Sequence, residues 1–339
     1  MAKSAASVLR LLLPLAVFAV TTALIAGFFG RWHPVFDAFA HFRVHLGFVL
    51  ALSAVPLLLA VDKWHAAAAF LLGLGAAGTT FPSGSLPSFG AVQAAAPAAP
   101  SQPTYRMMQL NLFHSNETPE QVLSLIGRVR PDVVTLDEVS SQWEPKLELL
   151  KAAYPYQINC RVRRTGSAIL SRRPFADGEK PSCFDRGSMV LAAVNFGGIS
   201  IDVAALHLGW PWPFDQSKQL DQLAEPLGKI GDTGILGGDF NATPWSFAAK
   251  RVMAMSGMAA ATDGQRSWLP FSLPRSFRTV GLPIDHVLTK GDIVVQTVKL
   301  LEPVGSDHWP VLVEFRINAA DAAPQAPVTV QLGGKAKAG

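Results

Sequence analysis

Residues 234–241 read Gly-Ile-Leu-Gly-Gly-Asp-Phe-Asn: an apolar strand candidate, Gly234 to Gly238, that delivers an acid, Asp239, and an amide, Asn241, at its end. Side chains emerging at a strand end are held by a rigid scaffold yet face solvent, and catalytic groups gather at such places. The arrangement recurs along the chain. Asn111 lies in the strand candidate Tyr105 to Phe113, Glu138 stands in Leu-Asp-Glu, and His207 in Leu-His-Leu. Asp285 stands in Ile-Asp-His, and Asp307 with His308 in Ser-Asp-His. Singly, each has an ordinary explanation, since Asp-Phe-Asn suits a turn, an isolated Glu is usually solvated and a lone His completes a hydrogen-bond network. Their ordered co-occurrence is the signal.

Around these residues the pattern is one of mixed elements. Thr118-Pro119-Glu120-Gln121 has a Thr cap, Pro in the first helical position and Gln third, a capping-box pattern. Val122, Leu123, Leu125, Ile126 and Val129 then recur at helical spacing, Pro131 ends the helix, and Asp132 to Leu136 reads as a short buried strand. Further strand candidates are Ser167 to Leu170, Met189 to Phe196, Ile199 to Leu206, Ile284 to Leu288, Ile293 to Leu301 and Val311 to Ile317. Helical patterns intervene at Gln142 to Ala153, Gln216 to Ile230 and Ser246 to Met255. Adjacent hairpin-like strands mixed with helices predict sheets covered by helices, an α/β or α+β layered domain, and exclude a purely parallel βαβ fold.

Leu-Asp-Glu, Gly-Asp-Phe-Asn, Ile-Asp-His and Ser-Asp-His in this order resemble the endonuclease/exonuclease/phosphatase superfamily over roughly Tyr105 to Phe315. The polytopic start resembles its bacterial membrane-associated branch. The resemblance implies a four-layered α/β sandwich with the active site at one end, hydrolysing a phosphate ester in a nucleic acid, phospholipid or phosphorylated small molecule. By the same resemblance Asn111, Glu138 and Asp307 hold Mg²⁺ or Mn²⁺, hard cations that choose oxygen ligands. Asp239 activates water, Asn241 donates to a phosphate oxygen, Asp285 orients His308 against the phosphate, and His207 stands near the leaving group. Phe113, Asp137 and Ala204-Ala205 depart from the usual pattern, Phe113 where a polar ligand is common and Asp137 where Gln is frequent. The leading expectation is a phosphodiesterase or nuclease. The alternatives are a phosphatase or phospholipid-headgroup hydrolase, and, from another class, a catalytically inactive binding module.

The 339 residues divide sharply in composition. Residues 1–80 carry few charges and three apolar runs, at about 8–30, 44–61 and 65–79. Roughly 20 such residues cross a hydrocarbon layer of ~30 Å, so about three transmembrane helices are expected. The first run is longer than the h-region of a cleaved leader, and more apolar segments follow it. An odd count starting inside puts the C-terminal domain on the extracytoplasmic side of the cytoplasmic membrane. Residues 81–103 form a Pro/Ala-rich linker, 104–317 the catalytic domain and 318–339 a tail expected to be disordered. Cys160 and Cys183 permit one disulfide, which suits an oxidising compartment; the alternative is two buried thiols. The net charge of +4 says little about partners, whereas Arg161, Arg163, Arg164, Arg172 and Arg173 form a local cluster that either faces phosphate or is simply solvated. The loop Trp210-Pro211-Trp212-Pro213-Phe214 after His207 suits stacking on a base, dipping into lipid, or plugging the structure.

Overall fold

The structure, a computed structural model, describes residues 2–81 and 103–318 apart from 163, 179 and 263. The expected linker and tail therefore lie almost wholly outside the described residues. Five helices come first: α1 (Ala2–Ala26), α2 (Pro34–Ala40), α3 (Arg43–Leu52), α4 (Ala54–Ala60) and α5 (Lys63–Gly78). The rest of the chain runs β1 (Tyr105–Asn111), α6 (Pro119–Val129), β2 (Val133–Ser140), α7 (Glu144–Glu148), β3 (Tyr156–Asn159), β4 (Thr165–Ser171) and β5 (Ser182–Phe184). It continues with β6 (Met189–Asn195), β7 (Ser200–Leu206), α8 (Gln216–Gly228), β8 (Gly234–Asp239), α9 (Phe247–Ser256), β9 (Ala259–Ala260), β10 (Asp285–Lys290), β11 (Ile293–Leu300) and β12 (Val311–Ile317).

The strands make two six-stranded sheets, ordered β11-β12-β1-β2-β4-β3 and β5-β6-β7-β8-β10-β9. Pairs β1/β2 and β7/β8 are parallel and the other pairs antiparallel. Alternation sends Met107, Val133, Ile169, Val203, Ile235, Val287 and Phe315 into a core between the sheets. The opposite faces of the sheets pack outward, one with Val122, Leu125 and Ile126 of α6, the other with Leu220, Leu223 and Val252 of α8 and α9. The domain is thus a four-layered sandwich of helix, sheet, sheet and helix.

At Gly237 and Gly238 this strand has no room for a side chain. A Cβ on Gly237 would meet Met107 Cε and Thr135 Oγ1 of the facing sheet at 2.6 Å, and one on Gly238 would overlap the Leu206 carbonyl of the neighbouring strand. The two glycines let β8 lie flush against both neighbours immediately before Asp239.

Several local expectations change. Thr118 precedes α6 but makes no side-chain cap; its hydroxyl donates to Asn116 Oδ1 (3.2 Å) instead, so the capping box is absent. Helix α7 is shorter than Gln142 to Ala153, and the short strands β3, β5 and β9 were not anticipated. Ser246 does cap α9, accepting from Ala249 N at 3.1 Å.

In the N-terminal part, α3 and α4 meet at Ser53 and together supply Arg43–Ala60, the one stretch among the described residues long and apolar enough to cross a membrane. Helix α1 carries the apolar stretch Leu12–Ala26, and α5 has 16 residues, too few for a perpendicular crossing of ~30 Å. Helices α3 and α5 touch backbone to backbone where Gly47 faces Gly73. Phe18, Leu52, Leu59 and Leu71 point outward and are exposed.

Candidate active site

Sheet register assembles the site. Asn111 and Asp137 are partners across β1/β2, and Asp239 and Asp285 are partners across β8/β10, so the ends of four strands from two sheets meet at one end of the sandwich. Between Leu136 and Val139 the β2/β4 register shifts in a bulge, and Glu138 there has φ +57°. A bulge re-aims the side chain it carries; Glu138 consequently leaves the alternation of β2 and reaches Asn111 rather than a core position.

Asp239 is the centre. Its Oδ2 accepts from Asn111 Nδ2 at 2.9 Å and lies 3.7 Å from His207 Nε2 and 3.6 Å from His308 Nε2. Its Oδ1 accepts from Asn241 N at 2.8 Å, a contact made possible by the left-handed backbone of Asn241 (φ +47°). Asn241 Nδ2 donates to Leu208 O (2.8 Å) and lies 3.5 Å from His207 Nε2. Asp285 Oδ2 is 2.7 Å from His308 Nδ1, so the imidazole presents Nε2 to Asp239.

The charges follow from these contacts. Burial pushes Asp239 up to about 7, against the pull of His308. Burial opposes charge on His308 too, but Asp285 and Asp239 outweigh it and lift the imidazole to about 10. Burial also disfavours an ionised Glu138, yet His207 and the His114 N–H hold it down to about 2. A protonated histidine and an ionised carboxylate therefore flank an aspartate that titrates near neutrality.

The donor set fits a divalent cation. Asn111 Nδ2 bridges Glu138 Oε1 (3.2 Å) and Asp239 Oδ2 (2.9 Å), so amide hydrogens stand between two carboxylates. Binding through Asn111 Oδ1 requires the amide to turn, releasing Phe113 N (3.0 Å). Asp239, Asp285 and His308 also place one ligand atom each within 4.8 Å of one another. Asp285, bonded to His308 and to Gln109 Nε2 (3.2 Å), is fully buried, whereas Glu138 is partly exposed and so the more accessible oxygen donor. Asp307 is bonded elsewhere: its Oδ2 accepts from Trp268 Nε1 at 2.9 Å.

Four contributors were not singled out from the sequence. Asp137, noted only as a departure, accepts from Asp239 N, Gln109 Nε2 and Ser167 Oγ, and burial raises it to about 7. Gln109 bridges Asp137 and Asp285. His114 donates its backbone N–H to Glu138 Oε2, and its Nδ1 lies 2.9 Å from the same oxygen. Ser306 donates to Asn111 O and accepts from His308 N. Asn-Leu-Phe-His after β1 and the Ser of Ser-Asp-His were the available signals. Of the arginine cluster, Arg161 pairs with Glu144 and Arg173 with Asp132, which is structural work. Arg164 approaches the site, 2.9 Å from His114 Nε2; Arg163 lies outside the described residues.

Residues 108–308 match the Endonuclease/Exonuclease/phosphatase family model. The chain belongs to this family. Its members include phosphoester-hydrolysing enzymes. Among curated proteins, the UPF0294 protein YE0917 of Yersinia enterocolitica is 30% identical over 155 residues, 46% of this chain and 50% of that protein. The UPF0294 protein YpsIP31758_1050 of Yersinia pseudotuberculosis is 29% identical over the same length. The chain thus spans about half the length of the curated relatives it matches. Among solved structures, the family member from Bacteroides vulgatus has a TM-score of 0.54 at 16% identity, covering 64% of this chain and 100% of that one. D. rerio TDP2 complexed with single-strand DNA product gives 0.51 at 17%, covering 63% and 99%. The Neisseria 3' phosphatase NExo bound to a product DNA hairpin gives 0.50 at 18%, covering 62% and 99%. At these identities the likeness speaks for the shared fold.

Proposed function

We propose that the chain is a membrane-anchored, divalent-metal-dependent phosphodiesterase. The observation that carries the reading is the convergence of Asn111, His207, Asn241 and His308 on Asp239. Asp239, titrating near neutrality, where a base is most effective, takes a proton from the attacking water. The water oxygen bonds to phosphorus as the ester P–O bond breaks, and His207 stands beside Asp239 to hand a proton to the departing oxygen. Charged His308 and the Asn241 amide are placed to neutralise the phosphate oxygens as charge develops. Glu138 and Asn111 would hold Mg²⁺ or Mn²⁺, which when bound supplies Lewis-acid stabilisation of that same charge.

Anchoring is supported by the Arg43–Ala60 stretch and by the exposed apolar faces of the N-terminal helices. A location of the catalytic domain outside the cytoplasm is supported by the disulfide joining Cys160 and Cys183, since such bonds persist in oxidising compartments. The test is hydrolysis of bis-p-nitrophenyl phosphate by the full chain with and without Mg²⁺ or Mn²⁺. Metal-dependent turnover is expected; its absence would leave the binding-module alternative. A reporter fused after Gly339 that is active only in the cytoplasm would overturn the topology.

A further inference from the structure

Three helices of the N-terminal segment meet at one level, and the catalytic domain sits on it. Arg43, the first residue of α3, donates through Nη2 to Gly27 O just after α1 (3.0 Å), and its Nη1 lies 3.5 Å from Thr79 Oγ1 just after α5. Arg43–Ala60 is the candidate span, so in the anchored reading this level is one face of the membrane, the depth of lipid headgroups. Hydrogen bonds fix the domain there. Asp37 of α2 accepts from Phe247 N (2.6 Å) and Ala248 N (2.8 Å), Trp245 Nε1 donates to Ala40 O (2.7 Å), and Thr243 N donates to His41 Nδ1 (3.2 Å). His45, in the first turn of α3, donates from Nε2 to Val280 O (2.7 Å).

This docking decides which loops meet the bilayer. Phe271, Phe277 and Val280 are exposed on one loop; Trp210, Trp212 and Phe214, exposed on another, wall a cavity of about 170 Å³ with His41 and Phe42. Large apolar side chains exposed singly are ordinary, but these gather on two loops that adjoin the start of the span, and tryptophan is enriched at membrane interfaces. Beside Phe277 and Val280, Arg278 and Thr279 line an open recess of about 440 Å³ together with Arg266 and Lys299 and with no acidic residue. Arg161, Arg173 and Arg251 are each neutralised by an acid, Glu144, Asp132 and Asp221. Arg266, Arg278 and Lys299 have no acidic partner among the described residues. Unneutralised cations grouped around a recess attract an anion, and at headgroup depth the anion at hand is a lipid phosphate.

We infer that this face of the catalytic domain docks on the surface of an anionic bilayer, with the recess of Arg266, Arg278 and Lys299 holding the headgroup phosphate of an acidic phospholipid that is bound and not hydrolysed. The inference rests on the anchoring reading and adds to it the docking surface and the class of lipid it meets.

The test places the full chain in nanodiscs of phosphatidylcholine alone or mixed with phosphatidylglycerol. An environment-sensitive NBD label on Phe277→Cys reads contact with lipid; with Cys160 and Cys183 joined, the new thiol is the one labelled. Blue-shifted emission, quenched by doxyl-labelled lipid, is expected in the discs that contain phosphatidylglycerol. In Arg266→Gln, Arg278→Gln and Lys299→Gln the docked-to-undocked ratio in those discs is expected to fall about fivefold for each charge removed, the worth of one cation at an anionic surface. Arg278→Lys keeps the charge and is expected to dock like wild type, and raised salt is expected to undock wild type with no substitution at all. Equal emission in the two kinds of disc, or emission indifferent to salt and to the three substitutions, would overturn the docking site. Emission that answers to an added thymidine oligonucleotide and to the substitutions, but not to phosphatidylglycerol, would assign the recess to a nucleic-acid backbone and overturn the bilayer. A chain that elutes apart from the discs would instead overturn the anchoring reading beneath it.

Discussion

His308 Nδ1 lies 2.7 Å from Asp285 Oδ2, and both side chains are buried. Asp285 begins β10 and His308 precedes β12, so the contact ties the two sheets together at the catalytic end. If they act as one unit, Asp285→Ala and His308→Ala should each lower kcat by about 10²-fold or more, and the double variant by little more than the worse single one. Rates and melting temperatures of the three variants check this. Additive losses, or large melting shifts with normal specific activity, would reduce the pair to a structural tie.

Glu138→Gln should nearly abolish metal-dependent turnover while the domain stays folded. The side chain sits at a bulge, bonded to Asn111 and His114 and not to the core. Calorimetric metal titration together with turnover in chelator measures both halves, and activity that survives chelation would contradict the assignment.

Reducing the Cys160–Cys183 bond should lower stability without touching the site. The cysteines are 23 residues apart, and closing a loop of that size stabilises by about 3 kcal/mol on the chain-entropy account. Urea denaturation with and without reductant reads the difference, and thiol alkylation of protein from its native compartment tests the bond itself.

Gly238→Ala should destabilise strongly. The added methyl would overlap the Leu206 carbonyl inside the sheet, where backbone cannot move aside, and overpacking of this kind costs roughly 1–3 kcal/mol or more. A urea midpoint equal to that of wild type would show that β7 and β8 separate more readily than their register implies.

Asp37→Ala should loosen α2 from the catalytic domain. Its carboxylate receives two backbone N–H groups at the start of α9, charge-assisted bonds of about 1.5–3 kcal/mol at a favourable helix end. The full chain should melt earlier, and limited proteolysis should cut faster between α2 and α3.

The layered class was legible because strand alternation and helical spacing are local properties: Met107 and Val203 announce a buried face whatever lies opposite. The acids and histidines at strand ends were legible for the same reason, since a polar residue closing an apolar run has few places to go. Local reading misplaced the Thr118 hydroxyl, which had a better partner in Asn116, and missed β3, β5 and β9, too short to show a period. That Asp285 faces His308 was implied by the family resemblance. The tertiary structure alone decided the rest: whether Asp137 braces Asp239, and whether His41 from the N-terminal segment lines a cavity with Trp210, depend on sheet register and docking. Those contacts join residues 23, 102 and more than 160 positions apart. A sequence pattern records which side chains want partners; the packing of two sheets and a helical segment determines which partners come within reach.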